Sequence, residues 1–268
     1  IIIRHKCKKI NCHLRKCINM NQKSENAVEQ GFMALGPNDT FCFECTKEVP
    51  CFNECCRDLN QFLTPYDILR MKKSLKLSSA QFLKAYTAQH IGPETGLPVV
   101  TLKAEYASGW QCPFVTAKGC RIYEDRPASC RSYPLARMAY RDPNSGEIAA
   151  QYALLKESHC KGFERGAPKT IDAWIKAQGL AHYNEANDWM IDIIGLKRRL
   201  GAEPLDLAMS RMFVLACYDL DTLREQIEAG KIMPDVAAEA IPADDMALLK
   251  FGLDRAKKML QSSTGQTL

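Results

Sequence analysis

With 268 residues, of which 46% are hydrophobic, the chain can bury a core without help from disulfide bonds, so its 13 cysteines need another explanation. No run of about 20 apolar residues predicts a membrane span, and no segment resembles a signal peptide, so we expect a cytoplasmic protein without a membrane partner. The net charge of +5 is concentrated in residues 1–25, which lack aromatic residues, so we infer no nucleic-acid partner.

Residues 1–40 are predicted to be a disordered basic tail followed by a linker. Cys7, Cys12 and Cys17 occur there at a spacing that matches neither a zinc knuckle nor a cluster loop, and no glycine or proline shapes a turn between them. We therefore expect these three cysteines to take no part in a metal site.

Residues 41–165 are predicted to form a small cysteine-rich, metal-binding domain of short strands and loops with two helices. Thr64, followed by a proline and an aspartate, and Ser78, followed three residues later by a glutamine, are typical helix N-caps. The alternating segments PVVTLKAE, from Pro98, and IAAQYALL, from Ile148, indicate strands.

Residues 166–268 are predicted to form a helical C-terminal region. Apolar periodicity, caps and glycine stops indicate helices over residues 170–178, 181–200, 204–218, 221–229 and 244–260. The expected fold class is therefore α+β, mostly α, and the helical region is a candidate surface for a protein partner. Cys217 lies in the apolar run MFVLACY and is expected to be a buried core thiol.

Eight cysteines remain once the tail, Cys42 and Cys217 are set aside. They are Cys45, Cys51, Cys55, Cys56, Cys112, Cys120, Cys130 and Cys160. In a reducing compartment, clustered cysteines more often bind metal than form disulfides. The last four also lie beside turns whose backbone N–H groups can face a thiolate sulfur. We predict that these eight are metal ligands.

The charge of such a centre needs compensation. Four thiolates around Zn²⁺, or around a four-iron cluster, leave a net charge of about −2. Arg126 and Arg131 flank Cys130 in the sequence. We predict that both arginines lie around the metal ligands and offset this charge.

Cys55 and Cys56 are adjacent in the sequence. Neighbouring side chains diverge by about 100° in a helix and by about 180° in a strand. The pair therefore suits either two neighbouring four-thiolate sites or one multi-iron cluster, and the spacing alone does not choose between them.

The cysteine tracts together resemble a known family. CTKEVPCFNECCRDLN, LTPYDILRMKKSL, CPFVTAKGCRIYEDRPASCRSYP and HCKGF, in that order, are similar to the bacterial YkgJ-type cysteine-cluster family, whose members are described as zinc- or iron-chelating proteins. The resemblance covers roughly residues 41–165. The family's common opening is C-x2-C-x2-CC, whereas the spacing from Cys45 is C-x5-C-x3-CC, which leaves Cys42 as a competitor for the first ligand position; the spacing to Cys51 favours Cys45.

The resemblance implies a protein that holds zinc or a four-iron, four-sulfur cluster. The alternative is a cluster-dependent protein lysine N-methyltransferase, because the flagellin lysine N-methylases also resemble this family and are thought to hold an iron–sulfur cluster. Against an enzyme of this kind, no glycine-rich turn between strand and helix is present to bind a nucleotide-like cosubstrate. Thiol redox chemistry is the least favoured interpretation, because Glu44 lies inside the single C-x-x-C spacing and opposes a lowered thiol pKa.

Overall fold

The computed structural model describes residues 31–57, 60–104 and 109–263. Within these residues the chain forms eight α-helices, and none of them is long and apolar enough to cross a bilayer. The helices are α1 (Pro65–Leu75), α2 (Ser79–Tyr86), α3 (Ala128–Ser132), α4 (Ile171–Ala177), α5 (Ala181–Leu200), α6 (Leu207–Tyr218), α7 (Leu220–Glu228) and α8 (Asp245–Ser262). The fold is α+β and mostly α, as predicted.

Ten short strands accompany the helices in the described part of the chain. They are β1 (Phe32–Leu35), β2 (Thr40–Cys42), β3 (Phe62–Leu63), β4 (Thr87–Ile91), β5 (Pro98–Leu102), β6 (Val115–Thr116), β7 (Gly119–Cys120), β8 (Leu135–Arg141), β9 (Ile148–Leu155) and β10 (Pro168–Thr170). They pair antiparallel in four small sheets, with the strand orders β1-β9-β8, β3-β5-β4, β10-β2 and β6-β7.

The caps predicted for α1 and α2 are confirmed. The hydroxyl of Thr64 accepts a hydrogen bond from the backbone N–H of Asp67 at 3.3 Å, and the hydroxyl of Ser78 accepts one from that of Gln81 at 3.2 Å. In both helices the third residue's side chain accepts the N–H of the cap in return. Each cap contributes about 1 kcal/mol, which is why the local sequence was sufficient to predict these helices.

Two boundaries differ from the predictions. The helix predicted from residue 204 begins at Leu207, because the carboxylate of Asp206 accepts the N–H of Met209 at 2.8 Å and caps the helix there. A strand, β1, occupies Phe32–Leu35 where a linker was predicted, because β1 pairs with β9 and four residues are too few to show a pattern of their own. Residues 1–30, with their three cysteines, lie outside the described residues.

The main hydrophobic core extends across the predicted domain boundary. Leu63, Phe82 and Phe114 belong to the same buried cluster as Phe213 and Leu249 of the C-terminal helices. A smaller core contains residues from β2 and the residue after it, from β8, β9 and α4, and from the loop after Cys160: Phe41, Phe43, Leu135, Leu154, Phe163, Ile171 and Trp174. The domain boundary at residue 165 stays a prediction, and residues before and after it pack into one hydrophobic core.

Polar contacts strengthen the same connection between α1, α2 and α7. Lys72, only 6% exposed, pairs with Asp221 at 2.7 Å. The same carboxylate accepts the backbone N–H of Ser79 at 2.6 Å, and the hydroxyl of Ser79 donates to Asp219 at 2.6 Å. The C-terminal helices therefore hold α1 and α2 in place beside the cysteine-bearing loops.

Helix α8 packs against α6 at close range. A Cβ atom on Gly252 of α8 would lie 2.0 Å from the carbonyl oxygen of Ala216 in α6. Only glycine permits this approach of the two backbones.

Candidate metal centre

The first cysteine segment, from Cys45 to Cys56, is a chain of tight turns. The turns end in a single 3₁₀ turn, Glu54–Cys56, which Asn53 precedes in the left-handed conformation with φ 69°. Asparagine tolerates that conformation better than most residues. Because a 3₁₀ helix has three residues per turn, neighbouring side chains in it point about 120° apart. Cys55 and Cys56 therefore leave the backbone in different directions.

The β6-β7 hairpin docks on this segment and carries two more cysteines. The backbone N–H of Cys112 donates to the carbonyl of Cys56 at 2.8 Å, and Cys120 pairs with Val115 across the hairpin. Asn53 donates from Nδ2 to the carbonyl of Thr116 at 2.9 Å. Cys112 is thereby held beside Cys56, and Cys120 lies opposite Val115 in the hairpin.

Cys130 lies in the short helix α3, which buried polar groups fix in position. The N–H of Ala128 donates to Asp67 of α1 at 2.7 Å, and the thiol of Cys130 donates to Oε1 of Gln61 at 3.5 Å. The other end of the Gln61 amide donates to the hydroxyl of Ser129. Five residues cannot form a stable helix alone, so these contacts decide where the Cys130 thiol lies.

Replacing Asp67 by asparagine is expected to lower the free energy of unfolding by about 1–3 kcal/mol, because an amide nitrogen would then face one of two backbone N–H donors. The carboxyl group is 1% exposed, and it accepts from Thr64 and Ala128. Burial raises its pKa to about 6, although both hydrogen bonds act to lower it. A raised carboxyl pKa contributes stability at low pH that is lost as the pH rises through the folded pKa.

The free energy of unfolding can be measured by urea denaturation of metal-loaded protein. The difference between wild type and Asp67→Asn should be larger at about pH 5 than at about pH 7.5. Asp235→Asn is a matched control, because the Asp235 side chain is 62% exposed in its pair with Arg255, and an exposed ion pair contributes little to stability. Equal stability of wild type and Asp67→Asn at both pH values would contradict the role assigned to this carboxylate.

Cys160 is brought to the first segment from far along the chain. The backbone N–H of Lys161 donates to the sulfur of Cys51 at 3.1 Å, and the N–H of Glu44 donates to the carbonyl of Gly162 at 3.1 Å. A Cβ atom on Gly162 would lie 2.6 Å from the ring of Phe43, so glycine allows this close approach. These contacts close a long loop and place Cys160 beside Cys51.

The hydroxyl of Tyr133 also faces this region. It is buried and has no hydrogen-bond partner among the described residues that satisfies normal geometry. As a thiolate, the nearby sulfur of Cys160 would accept a hydrogen bond from this hydroxyl. This interaction acts to lower the pKa of Cys160, although burial raises it overall. A buried hydroxyl without a partner is costly, and a thiolate at Cys160 would satisfy it.

The thiols occur in two groups, the first of which we call the Cys45 group. Its members are Cys45, Cys51, Cys55 and Cys160. Burial, followed by the charges of the other three members, raises the pKa of Cys45 to about 11. Such a thiol keeps its proton at neutral pH unless a cation replaces the proton.

The second group, which we call the Cys112 group, contains Cys56, Cys112, Cys120 and Cys130. Burial, followed by the charges of Cys112 and Cys55, raises the pKa of Cys130 to about 12. Cys112 and Cys120 also have raised pKa values, mainly through burial. Cys55 and Cys56 share a hydrogen bond that lowers the pKa of Cys55 and raises that of Cys56, so the two groups meet at this pair.

Comparison with known families agrees with this arrangement. Residues 44–171 match the family model CxxCxxCC, described as a "putative zinc- or iron-chelating domain". We call residues 44–171 the CxxCxxCC domain after this match. The resemblance predicted for residues 41–165 is thus confirmed, and the matched range includes all eight predicted ligands. Comparisons with curated proteins and with solved structures gave no match.

Cys42 and Cys217 are buried cysteines outside the set of eight predicted ligands. Cys42 precedes the matched range and is 2% exposed in β2, opposite Pro168 of β10. Cys217 is fully buried in α6, as predicted. The Cys45 residue, by contrast, reaches the protein surface, while its thiol is partly buried beside three other thiols.

The two predicted arginines occupy different positions in the CxxCxxCC domain. The charge of Arg126 acts on both thiol groups, because it lowers the pKa of Cys45 and of Cys120. Its guanidinium lies 3.8 Å from the ring centroid of Tyr123 and is 8% exposed as a residue. Arg131 instead donates to the carbonyls of Gln178 and Glu124, and so joins α3 to the turn before α5.

The donor set of the CxxCxxCC domain fits a thiolate-bound metal, although its thiols are spread more widely than the ligands of a metal ion. Among the described residues, no three His, Cys, Asp or Glu side chains are grouped closely enough to enclose a metal ion. The eight thiols are nevertheless neighbours within their two groups, and the buried hydroxyl of Tyr133 needs an acceptor.

Proposed function

We propose that the CxxCxxCC domain holds zinc or a four-iron, four-sulfur cluster through cysteine thiolates. The proposed ligands are Cys45, Cys51, Cys55, Cys56, Cys112, Cys120, Cys130 and Cys160. One observation supports the proposal: backbone hydrogen bonds and strand pairing bring together four segments, separated along the chain, that carry these eight cysteines. Thiolates are the ligands that zinc and iron–sulfur clusters prefer.

The surroundings also support a charged metal centre. Arg126 is nine-tenths buried and its positive charge reaches thiols of both groups, where it would offset the negative charge of metal-bound thiolates. The bound metal would serve the structure, because metal–thiolate bonds can supply about 10–16 kcal/mol in small zinc domains. We further propose that the protein works in the cytoplasm, where unbridged thiols persist, and that its helical C-terminal region binds a protein partner.

The proposal is tested on full-length protein purified without air. Elemental and sulfide analysis should find metal bound to each chain: brown protein with iron and acid-labile sulfide identifies a cluster, and colourless protein with zinc identifies zinc sites. Protein that holds neither, even after anaerobic reconstitution with each metal, would overturn the proposal. Calorimetric binding of S-adenosylmethionine to the loaded protein would favour the alternative, a cluster-dependent protein lysine N-methyltransferase.

A further inference from the structure

We propose that the eight thiols form two separate four-thiolate sites, divided between the adjacent residues Cys55 and Cys56. The Cys45 group would hold one metal centre and the Cys112 group the other. This inference rests on the proposed metal binding and adds the number of centres and the ligands of each.

The Cys45 group is assembled by contacts that do not involve the hairpin. The N–H of Lys161 on the sulfur of Cys51 brings Cys160 to the first segment. Cys55, Cys51 and Cys160 are the thiols whose charges act most strongly on Cys45. Its four sulfurs thus come from two segments, residues 45–55 and the turn that carries Cys160.

The Cys112 group is assembled by a different set of contacts. The backbone hydrogen bond from Cys112 to Cys56 attaches the segment that leads into the β6-β7 hairpin. Cys120 lies opposite Val115 in that hairpin, close enough for its charge to act on Cys112. Asp67 fixes the start of α3, so that Cys130 borders both Cys112 and Cys120. These four sulfurs come from three segments.

The backbone between the two groups explains why they divide at this pair. Cys55 and Cys56 lie in a 3₁₀ turn, so their Cα–Cβ bonds diverge by about 120°. A structural zinc site is closed by four ligands, and so is a four-iron cluster, which makes eight thiols sufficient for two centres. Arg126 acts on Cys45 in one group and on Cys120 in the other, as a cation shared by two anionic centres would.

A competing arrangement is a single polynuclear centre in which Cys55 bridges. Such bridging is compatible with the structure, because Cys55 lies close enough to Cys130 for its charge to act on that thiol. The two arrangements differ in what happens when Cys55 or Cys56 is replaced. If the sites are separate, replacing Cys55 removes one metal centre and replacing Cys56 removes the other. If Cys55 bridges a single polynuclear centre, either replacement disrupts the whole centre.

The test loads full-length protein with ¹¹³Cd²⁺ and compares wild type with Cys55→Ser and Cys56→Ser. Wild type should bind two cadmium ions per chain and give two ¹¹³Cd resonances. Cys55→Ser should bind one ion and keep one resonance, and Cys56→Ser should bind one ion and keep the other. Cys45→Ser should reproduce the Cys55→Ser spectrum, and Cys120→Ser that of Cys56→Ser, which covers the case in which one variant fails to fold.

Tyr133→Phe adds a readout that is independent of ligand loss. It should shift the resonance that Cys45→Ser abolishes and leave the other unchanged, because the hydroxyl faces Cys160. The division into two sites is overturned if wild type binds one cadmium ion, or if either Cys55→Ser or Cys56→Ser abolishes both resonances. Wild type that binds no cadmium, zinc or iron at all would overturn the proposed function as well, so the two failures are distinguishable.

Discussion

Cys120→Ser and Cys130→Ser should each lower the metal content of the purified protein and open the CxxCxxCC domain to proteases. The ligands come from segments far apart in the sequence, so their ordering entropy must be offset by metal–thiolate bonds. Removing one thiolate weakens a bond set worth about 10–16 kcal/mol in zinc-finger peptides. Elemental analysis measures the first effect, and limited proteolysis with mass spectrometry of the fragments measures the second.

Cys217→Ser is the matched control for these variants, since it makes the same thiol-to-hydroxyl change in the buried interior of α6. A buried hydroxyl costs about 1–3 kcal/mol, but the metal should stay in place. Full metal content and unchanged protease resistance in both Cys120→Ser and Cys130→Ser would contradict a single domain organised around all eight thiols.

Gly252→Ala should destabilise the protein by at least about 3 kcal/mol, the upper part of the usual range for an overpacked core. The new methyl group would lie 2.0 Å from the carbonyl oxygen of Ala216 and 3.4 Å from Leu223, so α6 and α8 would have to move apart. Urea denaturation of the metal-loaded protein measures the loss of stability.

Gly195→Ala provides the comparison for Gly252→Ala, because Gly195 is also inside a helix. The atom nearest to a Cβ there is Nη1 of Arg199, at 3.7 Å, which leaves room for the methyl group. Alanine has the higher helix propensity by about 1 kcal/mol, so this variant should be as stable as wild type or slightly more stable. If both glycine variants lost the same stability, the close contact of α6 with α8 would not be the cause.

Local sequence predicted the elements whose signals are local. The reciprocal caps at Thr64 and Ser78, and the alternation from Ile148 to Leu155, each occur within a few residues. Strand β4 escaped prediction because it follows α2 directly at Thr87, with no turn residue to mark the change. Strand β8 is fixed by its pairing with β9, which the sequence of β8 alone does not reveal.

The candidate site shows the same limit. The eight cysteines could be selected from composition, compartment and turn context, but their division into two groups could not. That division depends on the hydrogen bond from Lys161 to Cys51 and on the one from Cys112 to Cys56, which join residues distant in sequence. Tyr133 also escaped selection, because a tyrosine beside a proline carries no local sign of a thiol partner.

The position of Cys160 has a consequence for the protein while it is still being synthesised. Chains fold from the N-terminus as they emerge from the ribosome, and every thiol of the Cys112 group is present once Cys130 has emerged. The Cys45 group is complete only when the later segment with Cys160 and Lys161 has also emerged. In the folded protein, the backbone N–H of Lys161 donates to the sulfur of Cys51. A nascent chain arrested between these two points is therefore expected to hold metal at the hairpin while Cys45, Cys51 and Cys55 still lack their fourth partner.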